Sequence, residues 1–174
     1  MKTFILGGAR SGKSSYAEKL AVESGLEVIY IATAQVYDKE FAERVRLHQQ
    51  RRPANWQLIE EGFFLAKVLR ESANKDRTLL VDCLTLYLAQ WLCPDCPAPQ
   101  PDSWANERTQ LLDTLKNIPG NIILVSNEVG LGIVPMGEIN RYYQDEAGRL
   151  NQAVAAICDR AVFMAAGLPL QLKG

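Results

Sequence analysis

Residues 7–14 of this 174-residue chain read Gly7-Gly8-Ala9-Arg10-Ser11-Gly12-Lys13-Ser14, a complete G-x-x-x-x-G-K-[ST]. Each residue type there has a chemical reason. The glycines let the backbone turn successive N–H groups toward a polyphosphate, and the helix that follows adds its partial positive N-terminus. Lys13 brings a point charge to β and γ phosphates, and the Ser14 hydroxyl is a ligand for Mg²⁺. Chance produces the pattern in roughly one chain in 200 at ordinary residue frequencies. Here it also follows an apolar run and opens a helix, the context it requires. The reading is a nucleoside triphosphate site.

Such a loop needs a second acidic residue near its magnesium, at the end of a buried strand. Asp82 follows the apolar residues 78–81 and is expected at the carboxyl edge beside Ser14. A turn or helix-cap carboxylate is the alternative. Glu128, after residues 122–126, is a second candidate by the same logic.

His48 is the one histidine, in a stretch with Arg44, Arg46, Arg51 and Arg52. A subset of those arginines could grip phosphates bidentately. His48 shares a helical face with Phe41 and Val45, as a core or helix-end histidine does. A neutral imidazole at pH 7 also serves as base or nucleophile. Spacing leaves both readings open.

The elements that must position these groups alternate. Strands are expected over 3–6, 27–31, 56–60, 78–81, 121–126 and 161–165, with a last antiparallel strand after Gly167 through Leu172. Helices are expected over 13–24, ending at Gly25, from Asp38 to about 50, after 60 to about 72, and over about 138–160. The last carries Ile139, Tyr143, Ala147, Leu150, Val154 and Ile157 at steps of three or four. With the phosphate loop after the first strand, this predicts an α/β fold of the P-loop NTPase (RecA-like) kind. Its sheet is mostly parallel, with helices on both faces and a C-terminal antiparallel edge strand. One catalytic domain, 1–174, accounts for the chain. Residues 93–103 hold four prolines and read as a surface loop.

Composition narrows the function classes. Lys and Arg number 19 against 20 Asp and Glu, a formal net charge of −1, which gives no electrostatic footprint for nucleic acid. No apolar run approaches the ~20 residues of a membrane span. Met1-Lys2 leads straight into the first strand without a signal-peptide pattern, so a cytoplasmic location is expected. Cys93 and Cys96 form a lone CxxC with no second pair of ligands, which argues against structural zinc and thioredoxin-like chemistry. Trp56, Trp91 and Trp104 read as packing residues.

Five segments occur in order: the loop 7–14, Tyr30-Ile-Ala-Thr-Ala34, His48-x-x-x-Arg52-Pro53-x-x-Trp56, Asn127-Glu-Val-Gly-x-Gly-Ile-Val-Pro135 and Asp145-x-Ala-Gly-Arg-x-Asn-Gln152. Together they resemble the bifunctional adenosylcobinamide kinase/adenosylcobinamide-phosphate guanylyltransferase family of cobalamin synthesis. The resemblance covers nearly the whole chain except the loop 93–103. It implies phosphorylation of the aminopropanol arm of adenosylcobinamide by ATP or GTP. Transfer of GMP from GTP to that phosphate follows, through a guanylylated histidine at the position of His48. It implies nucleotide contacts at the loop 7–14, Ala32, Thr33, Ala34, Gln49, Gln50, Arg51, Arg52, Glu60 and Asp82, with Mg²⁺ on Ser14 and Asp82. It also implies a homo-oligomer, a trimer, with sites between subunits. Asp82 stands where some relatives carry glutamate, and its shorter arm moves the metal or leaves a water between them. One phosphate loop cannot align both the γ and the α phosphorus, so the helix over 37–53 is expected to move. Two other readings compete. One is a plain P-loop small-molecule kinase in which His48 only packs. The other is a non-catalytic nucleotide switch, against which the chain shows no partner domain, basic stripe or heptads.

Overall fold

The computed structural model of the protein describes residues 1–34, 53–93 and 103–174. The helix expected from Asp38 to about 50 lies outside them, with the movement expected of it. So do His48, Gln49, Gln50, Arg51, Arg52 and most of the proline-rich loop.

In chain order the described elements are β1 (Lys2–Gly7), α1 (Lys13–Glu23), β2 (Glu27–Ala32), β3 (Gln57–Glu60), α2 (Leu65–Ser72), β4 (Arg77–Asp82), α3 (Leu84–Leu92), α4 (Trp104–Asn117), β5 (Asn121–Asn127), α5 (Glu138–Ile157), β6 (Arg160–Ala165) and β7 (Leu168–Lys173). All seven strands join one sheet in the order β3-β2-β4-β5-β1-β6-β7. Every pairing is parallel except the β6–β7 hairpin. The apolar runs of the sequence become the central strands because a parallel sheet is covered on both sides.

Alternate residues of those strands enter two cores. Phe4, Ile29, Ile31, Leu79, Val81, Ile122 and Leu124 pack beneath α2, α3, α4 and α5. Ile5, Val28, Tyr30, Leu80, Ile123, Val125 and Met164 pack against Ala17 and Ala21 of α1. One face thus carries four described helices and the other carries the helix that the phosphate loop opens.

Local chemistry sets the element ends. α1 stops before Gly25, whose φ of +66° needs a residue without a Cβ. Glu61 accepts the N–H groups of Phe63 and Phe64 at 2.7 and 3.0 Å, ordering the entry to α2. Ser103 Oγ accepts the Asn106 N–H at the start of α4. Ala166 and Gly167 both have positive φ, the pattern of a type I′ hairpin turn.

Two expectations are corrected and two helices are added. α5 ends at Ile157, not near Arg160, because Cys158 turns extended and Arg160 already pairs with Thr3 in the sheet. Ile139 is 46% exposed rather than part of the buried stripe. Helices α3 and α4 were not anticipated. α3 buries Leu84, Thr85, Tyr87, Leu88, Gln90 and Trp91, so it lacks the polar face that makes a helical period visible. Trp91 and Trp104 are buried, and their indole N–H groups donate to Phe63 O and Glu146 Oε2. Among the described residues no helix is long and apolar enough to cross a membrane.

Candidate nucleotide site

The phosphate loop joins β1 to α1 and is held from below by the sheet's own backbone. The Glu128 N–H donates to Gly7 O at 3.0 Å. A Cβ added to Gly7 would lie 2.5 Å from Met164 O and 2.8 Å from Ser11 Oγ, so only glycine fits between β6 and the loop. Arg10 and Gly12 adopt φ of +56° and +96°. Left-handed residues among right-handed ones point consecutive N–H groups inward, the geometry of an anion-binding nest. Ala9 and Arg10 are exposed at the rim, Gly8 and Ser14 are half-buried, and Ser11 is buried.

Lys13 is 7% exposed. Its Nζ donates to Gly8 O at 2.5 Å and to Ser11 Oγ at 3.5 Å, which folds the ammonium back across the loop. Burial lowers its pKa, offset in part by Cys83 and Asp82. The Cys83 thiol, pushed up to about 12 by burial, is neutral at pH 7. Of the two, Asp82 is therefore the one whose attraction offsets the burial of Lys13.

Asp82 ends β4, which β5 separates from β1. Its carboxylate reaches the loop side of the sheet, where Tyr30 OH donates to Oδ2 at 3.0 Å. Glu128 is also at this edge, but its Oε1 accepts the Gly130 N–H at 2.5 Å. Glu60, Ala32 and Asp82 stand in register across β3, β2 and β4. The carboxyl edge thus gathers the loop 7–14, Ala32, Thr33, Ala34, Glu60 and Asp82. Four strand spacings, about 19 Å, separate Glu60's strand from the loop's strand. Thr33 is fully buried, its hydroxyl donating to Cys83 O at 2.6 Å and accepting from Cys83 N–H at 2.9 Å. The side chains of Gln49, Gln50, Arg51, Arg52 and His48 belong to the undescribed segment.

The polar residues of the segment 145–152 have separate partners. Asn151 is buried and accepts from Ser126 Oγ, which meets Thr85 Oγ1 at 3.3 Å. Arg149 pairs with Glu146 at 2.6 Å, and Asp145 is exposed. Leu131, Ile133, Val134 and Met136 follow Glu128 as exposed apolar side chains. Sequence reading missed Tyr30 and Cys83 as site residues. A tyrosine inside a buried strand was the available signal, because its hydroxyl needs a polar partner.

Among the described residues no three His, Cys, Asp or Glu side chains are placed to cage a metal. Ser14 and Asp82 offer oxygen donors only. That set suits a hard cation whose remaining ligands are phosphate oxygens and water.

A family model described as cobinamide kinase / cobinamide phosphate guanyltransferase matches residues 3–172. The chain is 55% identical over 174 residues to the bifunctional adenosylcobalamin biosynthesis protein CobP of Pseudomonas aeruginosa, covering 100% of this chain and 98% of that protein. It is 34% identical over 182 residues to the bifunctional adenosylcobalamin biosynthesis protein CobU of Escherichia coli K12, covering 99% and 100%. In architecture it resembles the type III secretion ATPase EscN of enteropathogenic E. coli, with a TM-score of 0.58 at 14% identity, over 95% of this chain and 43% of that one. A prototypical ATPase of a type III secretion system gives 0.51 at 15% identity, over 98% and 56%. These likenesses concern the fold, which is RecA-like.

Proposed function

The chain belongs to the cobinamide kinase / cobinamide phosphate guanyltransferase family, and from that premise we propose that one domain, 1–174, performs two successive transfers. In the first, the hydroxyl of the aminopropanol arm of adenosylcobinamide attacks the γ-phosphorus of ATP or GTP. Its proton is lost to solvent, an O–P bond forms, and the bond to the β-phosphate oxygen breaks to release ADP or GDP. In the second, an imidazole nitrogen of His48 attacks the α-phosphorus of GTP. A P–N bond forms and pyrophosphate leaves. The phosphate of adenosylcobinamide phosphate then attacks the same phosphorus, and His48 departs, leaving adenosylcobinamide-GDP. Two displacements avoid bringing two highly anionic reactants together in one step.

The observation that carries this reading is the buried Lys13, electrostatically coupled to Asp82 at the mouth of a phosphate loop, in a chain whose family match runs from 3 to 172. Lys13 and the loop N–H groups take up charge on the transferred or leaving phosphates. Arg51 and Arg52 do the same from the His48 segment, with Gln49 and Gln50 beside them. Ala32, Thr33, Ala34 and Glu60 complete the nucleotide edge. Mg²⁺, held by Ser14 and Asp82, supplies charge neutralisation between phosphates when bound. The protein works in the cytoplasm as a homo-oligomer, a trimer, on a corrinoid and a nucleotide, without nucleic acid.

Incubation with α-³²P-GTP and Mg²⁺ tests it. Wild type retains an acid-labile label after denaturation and His48→Ala retains none, while His48→Ala still moves γ-phosphate onto adenosylcobinamide. Wild type that stays unlabelled at pH 7–8 would leave a plain kinase.

A further inference from the structure

A carboxylate at the end of a strand turns about two torsions unless something fixes it. The β2 strand and its extension fix Asp82 at two points. Tyr30 is 3% exposed, and its hydroxyl donates to Asp82 Oδ2 at 3.0 Å. In the β2–β4 register Tyr30 pairs with Leu80 and Ala32 with Asp82, so Tyr30 and Asp82 are diagonal neighbours on the α1 face of the sheet. Phenylalanine would bury the same ring. What tyrosine adds is the hydroxyl, aimed at the carboxylate. Thr33 holds the main chain at the same residue. Its N–H donates to Asp82 O at 3.3 Å, and its hydroxyl both donates to and accepts from the Cys83 backbone.

We propose that Tyr30 and Thr33 are positioning residues that present the Asp82 carboxylate in one orientation to the divalent cation accompanying the nucleotide. This rests on the reading of Asp82 as the metal-side carboxylate. Tyr30 selects the oxygen by occupying Oδ2, and Thr33 sets the backbone from which the side chain starts. Both act through Asp82.

Mn²⁺ replaces Mg²⁺ as the probe, its affinity read by electron paramagnetic resonance with saturating guanosine 5′-(β,γ-imido)triphosphate. Nucleotide affinity in EDTA is measured separately by calorimetry. Asp82→Asn weakens Mn²⁺ binding, Tyr30→Phe weakens it on the order of tenfold, the factor of one hydrogen bond to a charged group, and Thr33→Val, which frees the neutral Cys83 main chain, weakens it by less. Thr33→Ser restores it, and in each variant any change in metal-free nucleotide affinity is smaller than the change in Mn²⁺ affinity. If Asp82→Asn leaves Mn²⁺ affinity untouched, the metal reading itself is wrong. If Asp82→Asn weakens it while Tyr30→Phe and Thr33→Val do not, only the positioning role is lost. Parallel loss of metal-free nucleotide affinity would likewise overturn the positioning role in favour of a general effect on the fold. Should Tyr30→Phe not fold, the Thr33→Val and Thr33→Ser pair decides alone.

Discussion

The backbone N–H of Gly167 donates to the carbonyl of Ser11 at 2.9 Å, so the turn of the last hairpin braces the phosphate loop from behind. The approach is backbone to backbone. A Cβ added at Gly12 would come within 3.2 Å of Gly167 Cα. Residues more than 150 positions apart thus shape one loop, and that dependence is testable.

Gly167 has φ +80°, a conformation in which a Cβ costs about 1 kcal/mol. Gly167→Ala should lower the melting temperature by about 2–4 °C. Because the same turn supports Ser11, GTP affinity should fall as well. Thermal melts with and without GTP measure both. A lower melting temperature with undiminished GTP affinity would reduce the hairpin to a stability element.

Lys13 is a buried ammonium whose pKa burial lowers. The folded state therefore pays for the charge at every pH below that lowered value. The penalty is relieved as pH rises from there toward 10.5, where the unfolded lysine also loses its proton. Lys13→Met should raise the melting temperature of the nucleotide-free protein at pH 7 by roughly 2–4 °C, as removal of a strained functional group does. It should abolish phosphoryl transfer and nucleotide protection in melts. A variant less stable than wild type at pH 7 would show that the Gly8 and Ser11 contacts outweigh the burial.

Much of this architecture was legible because its signals are local. The loop 7–14 sits between a β-branched run and a helix, and Gly25 and Gly167 mark the turns where φ is positive. What stayed hidden depends on tertiary surroundings. α3 is buried on nearly all sides, so no period betrayed it. The end of α5 was misplaced because Asp159 and Arg160 are polar enough to continue a helix. Parallel pairing with Thr3 of β1 takes Arg160 into β6 instead. Asp82 was singled out by its place after a buried strand and does end β4, yet its separation from β1 by β5 follows from strand order, which sequence alone does not state. Tyr30 was quoted as part of a motif, but its partner lies 52 residues away.

Glu107 is a carboxylate buried far from the phosphate loop. It accepts the Ala66 N–H at 3.0 Å and the Tyr87 hydroxyl at 2.6 Å, tying α2, α3 and α4 together. Removing it leaves a buried donor at each of two helices. Glu107→Ala should destabilise by about 2–4 kcal/mol, and Glu107→Gln, which keeps an acceptor oxygen, by less. Urea unfolding at pH 7.5 gives both values. Equal losses in the two variants would point to the missing charge rather than the missing acceptor.

Alkaline pH offers a separate test of burial. Burial pushes the Cys158 thiol from 9.0 up to about 12, with Asp159 adding to it. Burial also raises Cys83 to about 12 and holds Tyr87 well above its ordinary value. An acid whose folded pKa is raised keeps its proton longer in the native state than in the unfolded chain. Stability is then unaffected below pH 9 and falls between pH 9 and 12, as unfolding releases protons. Cys158 is the cleaner probe, since Cys83 lies beside Lys13 and Thr33. Cys158→Ala should lose about 1 kcal/mol at pH 7.5 from reduced packing but decline less steeply above pH 9. Denaturant unfolding at pH 7.5, 9, 10 and 11 compares the slopes. Parallel curves for variant and wild type would mean that the Cys158 thiol contributes nothing to alkaline loss, and that Cys83 and Tyr87 carry it.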